Sequence, residues 1–541
     1  MRLRSVVTVL SLLAAGLSPI IAGSSTGATD VAGVPADNVG LHGPLTDHLE
    51  NLELVGHTPI PDAEGVPIGN NGGVALIDDC AYVGRWHDYS GRNPIQIIDV
   101  SDPSAPAVVG AVPGSVNSGG VSREIRAIDV TPGGVGSQVQ DMLIVMQFSQ
   151  SIPNRTNNKL LFFTFPSGDC REPVLTGTFD MRTLRGHEFF VWMDPTPVDQ
   201  GVFCIDACWR VLVFVTAPID PPNVMVVDAS DPGAPMLVGA FEAGQPLASA
   251  TEVEGTALGN YAHSISLSAD GRIAYLSYWD GGFFSMDAST FENGGLPAGA
   301  TLLPRGAASI PYDYSGPEGD AYGNTHSTVA IPGKNAVVTG DEIYITTDGC
   351  PFGWMRVLDV GDATTPPSQI GEFRLAENEP ENCVTVDPGD PVLGGAHRAA
   401  NVRNSAGALI DGTFSMHNQT VSDNFVYTSW YGGGLRVIDV SDPTQPAQVG
   451  AFVPVPVTTT ATIPNTPAPT YGRDADPDND WWVSMWSYPV IRDGLIYVTD
   501  VRNGLYILRP ALDAPFGEEV AGIGFLEGNS NLGDPFARAR D

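Results

Sequence analysis

One phrase of sequence recurs along the chain and constrains the fold more than any other feature. It reads "LRVIDVSDPTQPAQVGAF" from Leu435, "IQIIDVSDPSAPAVVGAV" from Ile95 and "VMVVDASDPGAPMLVGAF" from Val224, and a looser copy begins at Met355. In repeat proteins, each copy buries its apolar face against the next copy. We therefore interpret the 541-residue chain as one large repeat array.

Each copy predicts a strand, a turn and a second strand. The first part is apolar almost throughout, as expected for a strand covered on both faces. A turn follows, because the Asp442 carboxylate can bond backbone two residues on and Pro443 fixes φ. Two further strands precede the phrase, in "HNQTVS" and "FVYTSWY". The aspartates that end the third predicted strand are assigned to this blade structure: Asp99, Asp228, Asp359 and Asp439.

Four short antiparallel strands per unit are typical of a β-propeller blade. The pattern predicts seven units, of which the last lacks a fourth strand. The segment "LELVGHT" from Leu52 resembles "AQVGAF" and is a candidate for that strand, which would close the ring and remove exposed sheet edges. We expect an all-β, seven-bladed propeller over residues 51–510. Its first strands are predicted to start near Gly73, Glu124, His187, His263, His326, His417 and Trp486.

The repeat phrases resemble the LVIVD repeat family. The resemblance rests on "IQIIDVSDP", "VMVVDASDP" and "LRVIDVSDP" and extends over most of the chain. It implies an exported β-propeller protein. It does not imply an activity, because one scaffold can host many functions.

The N-terminus predicts export. The segment "MRLRSVVTVLSLLAAGLSPIIAGSS" has a basic start, an apolar run and small residues, as in a signal peptide that we expect to span residues 1–22. No later segment is apolar enough for a transmembrane span. The protein is therefore expected to be secreted or extracytoplasmic, either released or associated with the cell surface. Three other segments carry no blade pattern: a flexible linker over 23–50, a Pro/Thr-rich insert over 453–484 and a mobile tail over 511–541.

The net charge limits the classes of partner that we expect, and the cysteines predict disulfides. A net charge of -36 disfavours nucleic acid and anionic membranes, leaving a small-molecule or protein ligand for a chain that we expect to be monomeric. Six cysteines in an exported protein predict up to three disulfides. Cys350 and Cys383 flank one repeat and are expected to pair.

Four consecutive first strands open with histidine, at His187, His263, His326 and His417. First strands line the central channel of a propeller, so these side chains are expected to converge at one mouth. Imidazole donors suit copper, zinc, iron or nickel, and the pattern therefore predicts a metal or ligand site. The expected rim of this site comprises His87, Glu124, Arg126, Glu188, Asp280, His397, Trp86, Trp279 and Trp430.

Two alternatives remain open. The histidines could brace their own blades, as in WD-repeat propellers, within a purely structural adhesion or envelope protein. The channel histidines are also similar in architecture to those of selenium-binding and methanethiol oxidase propellers, which would imply a copper-dependent oxidoreductase. No motif for a nucleophile or a nucleotide is present, so the sequence leaves enzymatic activity undecided.

A second, weaker metal signal lies in "DADPDND". Alternating carboxylates in a loop can wrap Ca²⁺, although the glycine and glutamate of an EF-hand are missing. The calcium ligands would be Asp474, Asp476, Asp478 and Asp480.

Overall fold

In a computed structural model of the chain, the regular elements of the described residues are almost all antiparallel strands. Among the described residues, no helix is long and apolar enough to cross a membrane. The predicted signal peptide and most of the Pro/Thr-rich insert lie outside the described residues. The structure describes residues 48–60, 71–85, 94–115, 120–129, 141–149, 158–182, 184–198, 208–217, 222–242, 260–279, 281–291, 299–309, 324–343, 352–379, 383–385, 397–399, 414–454, 483–501 and 503–528.

The first two strands pair with distant parts of the chain. They are β1 (His48–Glu50) and β2 (Leu52–Thr58). Strand β2 runs antiparallel to Gly504–Pro510, with Leu52 opposite Pro510, so the predicted closure by the N-terminal segment is confirmed. Strand β1 adds to the edge of Ala447–Val453. The predicted linker therefore ends at residue 47 rather than at residue 50.

Four-stranded meanders then follow one another, and within each meander every strand pairs antiparallel with the next. We call the first strand of each meander its inner strand, because it is largely buried and in most meanders contacts the first strand of a neighbour. The first meander contains β3 (Asn71–Ile77), β4 (Cys80–Arg85), β5 (Gln96–Asp99) and β6 (Ala107–Ala111). The second contains β7 (Gly120–Ile128), β8 (Met142–Ser149), β9 (Asn158–Thr164) and β10 (Val174–Arg182).

The same order continues through the middle of the chain. Strands β11 (Phe189–Val198), β12 (Cys208–Thr216), β13 (Val224–Asp228) and β14 (Met236–Phe241) form one meander. The next contains β15 (Asn260–Leu267), β16 (Ile273–Trp279), β17 (Phe283–Asp287) and β18 (Leu303–Pro304). Short 3-10 turns occur at Ser289–Phe291, Gly306–Ser309 and Ala376–Asn378.

Two further meanders and a hairpin precede the closing unit. One contains β19 (Thr325–Ala330), β20 (Ala336–Asp341), β21 (Met355–Asp359) and β22 (Ser368–Phe373). The hairpin pairs β23 (Cys383–Thr385) with β24 (His397–Ala399). The other contains β25 (Gln419–Val421), β26 (Phe425–Ser429), β27 (Leu435–Asp439) and β28 (Ala447–Val453).

The closing unit combines both ends of the chain. Its strands are β29 (Val490–Arg492), β30 (Leu495–Asp500) and β31 (Gly504–Pro510), with β2 as the outermost strand. Helix α1 (Gly517–Gly522) and β32 (Phe525–Glu527) follow, and β32 pairs with the inner strand β29. The predicted boundary at residue 510 is therefore too early, because residues 511–528 pack on the repeat array through buried Phe516 and Val520.

Apolar contacts between neighbouring units hold the array together. Between the last and first units, Val74 and Leu76 of β3 pack with Leu505 and Ile507 of β31. Similar buried clusters join successive units elsewhere in the described chain. The third strands are buried on both faces, which explains why the first part of each repeat phrase is almost continuously apolar, whereas the fourth strands are partly exposed. The contact between β3 and β31 joins the ends of the array.

The predicted turn chemistry is also observed. Oδ1 of Asp442 accepts a hydrogen bond from the Thr444 backbone N–H at 3.0 Å. The aspartates at the end of the third strands make the equivalent bond at 2.8 to 3.0 Å, so their assignment to blade structure is confirmed for Asp99, Asp228, Asp359 and Asp439.

A disulfide joins the first and second meanders. It links Cys80 on β4 to Cys170 beyond β9, and the hydroxyl of Tyr82 donates to the Cys170 carbonyl. The sequence did not single out this pair. The predicted partner of Cys383, Cys350, lies outside the described residues, so that pairing stays a prediction.

We expect loss of this disulfide to destabilise the protein. The bond closes a sequence separation of 90 residues, and cross-links of this kind contribute about 2–4 kcal/mol. The double variant Cys80→Ala/Cys170→Ala should therefore unfold at lower denaturant concentration than the wild type, as measured by tryptophan fluorescence. Adding reductant should lower the wild-type midpoint more than that of the double variant. Equal midpoints for the two proteins without reductant would contradict the prediction.

Candidate metal centre

The four predicted histidines lie side by side. His187 immediately precedes β11, His263 lies in β15, His326 in β19 and His417 just before β25. Successive ring centroids are 4.2, 3.8 and 4.2 Å apart. All four rings are buried, and His326 is 0% exposed. The repeat register thus brings together side chains that are up to 230 residues apart in the sequence (187 to 417).

Hydroxyl groups fix the backbone of these histidines. Ser264 Oγ donates to the His326 carbonyl at 2.7 Å, and Ser327 Oγ donates to the His417 carbonyl at 2.6 Å. Thr216 Oγ1 makes the corresponding bond to the His263 carbonyl at 2.7 Å. Each bond joins one meander to the next. The small hydroxyl residue beside the histidine therefore sets the register between neighbouring meanders and leaves the imidazole facing its neighbours.

A carboxylate that sequence reasoning missed lies against three of the rings. Oε2 of Glu342 is 3.3 Å from Nε2 of His326 and 3.6 Å from Nε2 of His263. Its Oε1 is 3.4 Å from Nε2 of His417 and accepts a hydrogen bond from the Tyr431 hydroxyl. Two hydrogen bonds with Asn324 hold the backbone of Glu342. The Glu342 N–H donates to the Asn324 carbonyl at 2.8 Å, and Asn324 Nδ2 donates to the Glu342 carbonyl at 2.9 Å.

Burial keeps the histidines neutral. Removal from water lowers the pKa of His263, His326 and His417 well below the usual value, and nearby Arg123 adds to the same effect at His187. Neutral imidazole is the form that binds metal ions. Nδ1 of His417 lies 2.7 Å from the Trp486 carbonyl. A carbonyl oxygen only accepts, so Nδ1 carries the proton and Nε2 presents its lone pair toward Glu342.

A second carboxylate lies on the other side of the rings. Oε1 of Glu188 is 3.9 Å from Nδ1 of His263, and its Oε2 accepts a hydrogen bond from the Tyr488 hydroxyl at 3.0 Å. Burial, together with the charge of Glu124, raises the pKa of Glu188 well above its usual value. Beneath Glu188, the Arg126 guanidinium pairs with Glu527 of β32 at 2.9 Å. Glu124, Arg126 and Glu188, which the sequence assigned to the rim, are therefore buried, and Glu188 lies against His263.

Three aromatic side chains cover the cluster. Trp279 stacks on His263 with centroids 5.7 Å apart, while Tyr431 and Trp486 lie 4.8 and 5.0 Å from His417. Trp279 ends the second strand β16, Tyr431 follows the second strand β26, and their φ angles are 42° and 41°. Bulky residues rarely adopt this left-handed conformation, and such strain is concentrated at functional sites. The local backbone is therefore held in an unfavourable conformation while these rings cover the imidazoles.

Other predicted site residues lie elsewhere. Trp430 is buried in the apolar core, where its Nε1 donates to the Phe414 carbonyl, so its assignment to the rim is wrong. Its neighbour Tyr431 takes that position. His397 belongs to β24, and its side chain is outside the described part of the structure. The remaining predictions fall outside the described residues: Trp86, His87, Asp280 and the calcium ligands Asp474, Asp476, Asp478 and Asp480.

The donors could hold a metal ion in two overlapping groups. One consists of His326, Glu342 and His417, and the other of Glu188, His263 and His326. Within each group, the ligand atoms lie within 4.8 Å of one another. Imidazole nitrogen with carboxylate oxygen is a donor set for borderline divalent ions such as zinc, and no thiolate or thioether is among these groups to favour Cu(I).

Strand order, end-to-end closure and a buried cluster on the inner strands together define an all-β repeat protein of the β-propeller type. Three segments match the model of the LVIVD repeat: residues 68–113, 223–243 and 418–453. The resemblance predicted from the repeat phrases is confirmed at these segments.

Likenesses to solved structures are distant, and no curated protein matches the chain. The periplasmic gluconolactonase PpgL of Pseudomonas aeruginosa is 10% identical over 80% of this chain and 99% of its own, with a TM-score of 0.43. The β-propeller domain of Cps50 (Swd1) from Myceliophteria thermophila is 9% identical over 86% and 99%, with a TM-score of 0.41. At such identities and TM-scores, the likenesses do not extend to activity.

Proposed function

We propose that the chain is an exported, seven-bladed β-propeller that binds one divalent transition-metal ion of zinc type in its central channel. The blades are the four-stranded meanders, with β2 completing the last. The disulfide between Cys80 and Cys170 supports a location outside the cytoplasm, where such bonds persist. The proposed ligands are Nε2 of His326, Nε2 of His417 and the carboxylate of Glu342, which form one donor group, and His263 lies beside them.

The approach of two imidazole nitrogens to the two oxygens of one carboxylate carries the proposal. Unprotonated Nε2 of His417 faces Oε1 of Glu342 at 3.4 Å, and Nε2 of His326 faces Oε2 at 3.3 Å. Two acceptors approach this closely only when a proton or a cation lies between them. One proton on Glu342 can form a hydrogen bond with only one of these nitrogens. A metal ion can bind the nitrogens and the carboxylate at the same time.

The distances from the imidazole nitrogens to the oxygens of Glu342 are close to those between two ligands of one metal ion. Bonds of about 2.0–2.1 Å to a tetrahedral metal give distances of about 3.3–3.4 Å between ligand atoms. Oε2 of Glu342 lies 3.3 Å from Nε2 of His326 and 3.6 Å from Nε2 of His263. Its Oε1 lies 3.4 Å from Nε2 of His417. The surroundings also suit ligands, because metal-bound histidines usually donate their other N–H to a carbonyl or carboxylate. The Trp486 carbonyl accepts such a bond from Nδ1 of His417, and Oε1 of Glu188 lies 3.9 Å from Nδ1 of His263.

Metal analysis tests the proposal. The purified chain, stripped with chelator and dialysed against zinc, should bind about one equivalent. Glu342→Gln should weaken zinc affinity by more than about 100-fold, because even residues outside the ligand set commonly affect affinity 10- to 100-fold.

The matched control is Glu53→Gln, which removes an exposed carboxylate that pairs with Arg509. This variant should bind zinc like the wild type. Absence of a bound ion in the wild type, or equal affinity in wild type and Glu342→Gln, would reject the proposed site.

A further inference from the structure

We propose that the channel binds a second divalent ion of zinc type, held by Glu188, His263 and His326, so that the imidazole ring of His326 bridges two ions. This inference rests on the proposed first site, which takes Nε2 of His326 together with His417 and Glu342. The two donor groups share His326. Filling both groups at once gives His263 and Glu188 a role that the first site leaves open.

The ring of His326 carries the inference. Both of its nitrogens are buried without a hydrogen-bond partner among the described residues, and the side chain is 0% exposed to water. The first ion takes the lone pair of Nε2, which leaves Nδ1 as an N–H group without an acceptor in that part of the chain. A buried N–H of this kind is destabilising. A second ion on Nδ1 displaces the proton to solvent and satisfies the nitrogen.

The other two donors lie on the His263 side of this ring. The centroids of the His263 and His326 rings are 3.8 Å apart, and Oε1 of Glu188 lies 3.9 Å from Nδ1 of His263. The ligand atoms of Glu188, His263 and His326 all lie within 4.8 Å of one another. All three side chains are buried. Three protein donors of imidazole and carboxylate type are a common set at zinc sites that keep an open position.

The second nitrogen of His263 has a contact that suits a metal ligand. Its Nε2 lies 2.7 Å from Nε2 of His187, which is a hydrogen-bond length, so one proton lies between them. With Nδ1 of His263 bound to the second ion, that proton belongs to Nε2 of His263. Metal-bound histidines usually donate their other N–H in this way, which fixes the orientation of the ring.

The second site is expected to bind its ion more weakly than the first. Its donors are more widely spaced, with 3.9 Å between Glu188 and His263 against 3.3 and 3.4 Å at Glu342. Two ligands of one tetrahedral ion lie about 3.3–3.4 Å apart, so the second group has to contract around its ion. Two cations on one ring also repel each other. At low free zinc concentration the chain therefore holds one equivalent, and the second binds only at higher concentration.

Cobalt titration of the chelator-stripped full chain tests the proposal. Co²⁺ takes the place of zinc and reports its ligands through its visible spectrum. The wild type should bind two equivalents in succession. Because a bridging imidazolate couples the unpaired electrons of two ions, the electron paramagnetic resonance signal of the first ion should decrease as the second binds.

Variants of the second donor group should separate the two sites. Glu188→Gln and His263→Gln should each retain the first equivalent and bind the second more than about 100-fold more weakly, an effect larger than that of residues outside a ligand set. Glu53→Gln, which removes an exposed carboxylate, is the control and should match the wild type.

The outcomes distinguish failure of the second site from failure of the first. A wild type that binds one equivalent at saturating cobalt would overturn the second site and leave the first standing, whether or not a variant folds. A second equivalent that persists in both variants would place that ion elsewhere on the acidic protein and also overturn the proposal. Two bound ions without coupling of their signals would overturn the bridge through His326. A wild type that binds no cobalt or zinc would reject the first site, and the second with it.

Discussion

Replacing His326 by alanine is expected to abolish the stabilisation of the protein by zinc. His326 lies between His263 and His417, and its Nε2 is 3.3 Å from Glu342. A ligand that binds only the folded state stabilises it by about 2.7 kcal/mol at 100 times its dissociation constant. The wild type should therefore unfold at higher temperature with zinc than with chelator, whereas His326→Ala should unfold at one temperature under both conditions. Calorimetry and denaturant titration measure the difference.

The same experiment distinguishes metal binding from bracing. If His326 only braced its blade, the His326→Ala substitution would lower stability equally with and without zinc. The increase in stability on adding zinc would then persist. Neither ring nitrogen of His326 makes a hydrogen bond with the described residues, which argues against a bracing role for this side chain. His57→Ala is the matched control, because His57 lies on the outermost strand β2, where its ring bonds to the Asn503 carbonyl. That variant should keep the full zinc-dependent increment.

The repeats made the histidine cluster predictable. Equivalent positions in successive blades face the same channel, so a residue type that recurs in register must converge in space. The same logic identified Leu52 as the start of the closing strand, since the last unit lacked a partner for Gly504–Pro510. Register arguments worked because several units repeat both the apolar pattern and the turn aspartates.

Side chains without a counterpart in other repeats were not predictable. Glu342 follows the second strand β20, whereas Trp279 ends β16 and Tyr431 follows β26, so no recurring carboxylate marked this position. The rim assignment of Trp430 missed by one residue, because neighbouring residues in extended chain face opposite sides. Nothing in their sequence spacing set Cys80 and Cys170 apart among the six cysteines. Such contacts depend on how the blades are packed together.

Residues beyond 510 illustrate the same limit. Their sequence lacks the repeat phrase, and only three-dimensional packing makes β32 an additional inner strand beside β29. Phe525 reaches the apolar clusters of two different interfaces, one between the second and third meanders and one between the last and first. The C-terminal segment therefore contributes to the channel rather than lying outside the array.

Arg126→Met is expected to destabilise the protein by about 3–5 kcal/mol, the usual cost of breaking a buried ion pair from one side. The guanidinium of Arg126 is 1% exposed and lies 2.9 Å from Glu527 and 3.5 Å from Glu124. Methionine retains much of the side-chain volume, so the loss arises mainly from carboxylates left in a buried site without this positive charge. Denaturant unfolding followed by tryptophan fluorescence measures the change.

A second substitution should restore part of the loss. Glu527→Gln removes the charge that Arg126→Met leaves behind, so the double variant should be more stable than the sum of the single changes implies, with a coupling of at least about 1 kcal/mol. Gln369→Ala, on the outer strand β22, is the control and should show no coupling with Arg126→Met. Additive effects of Arg126→Met and Glu527→Gln would mean that β32 is held by its apolar contacts alone. Significant coupling would identify this ion pair as the link that docks the C-terminal strand beneath the histidines.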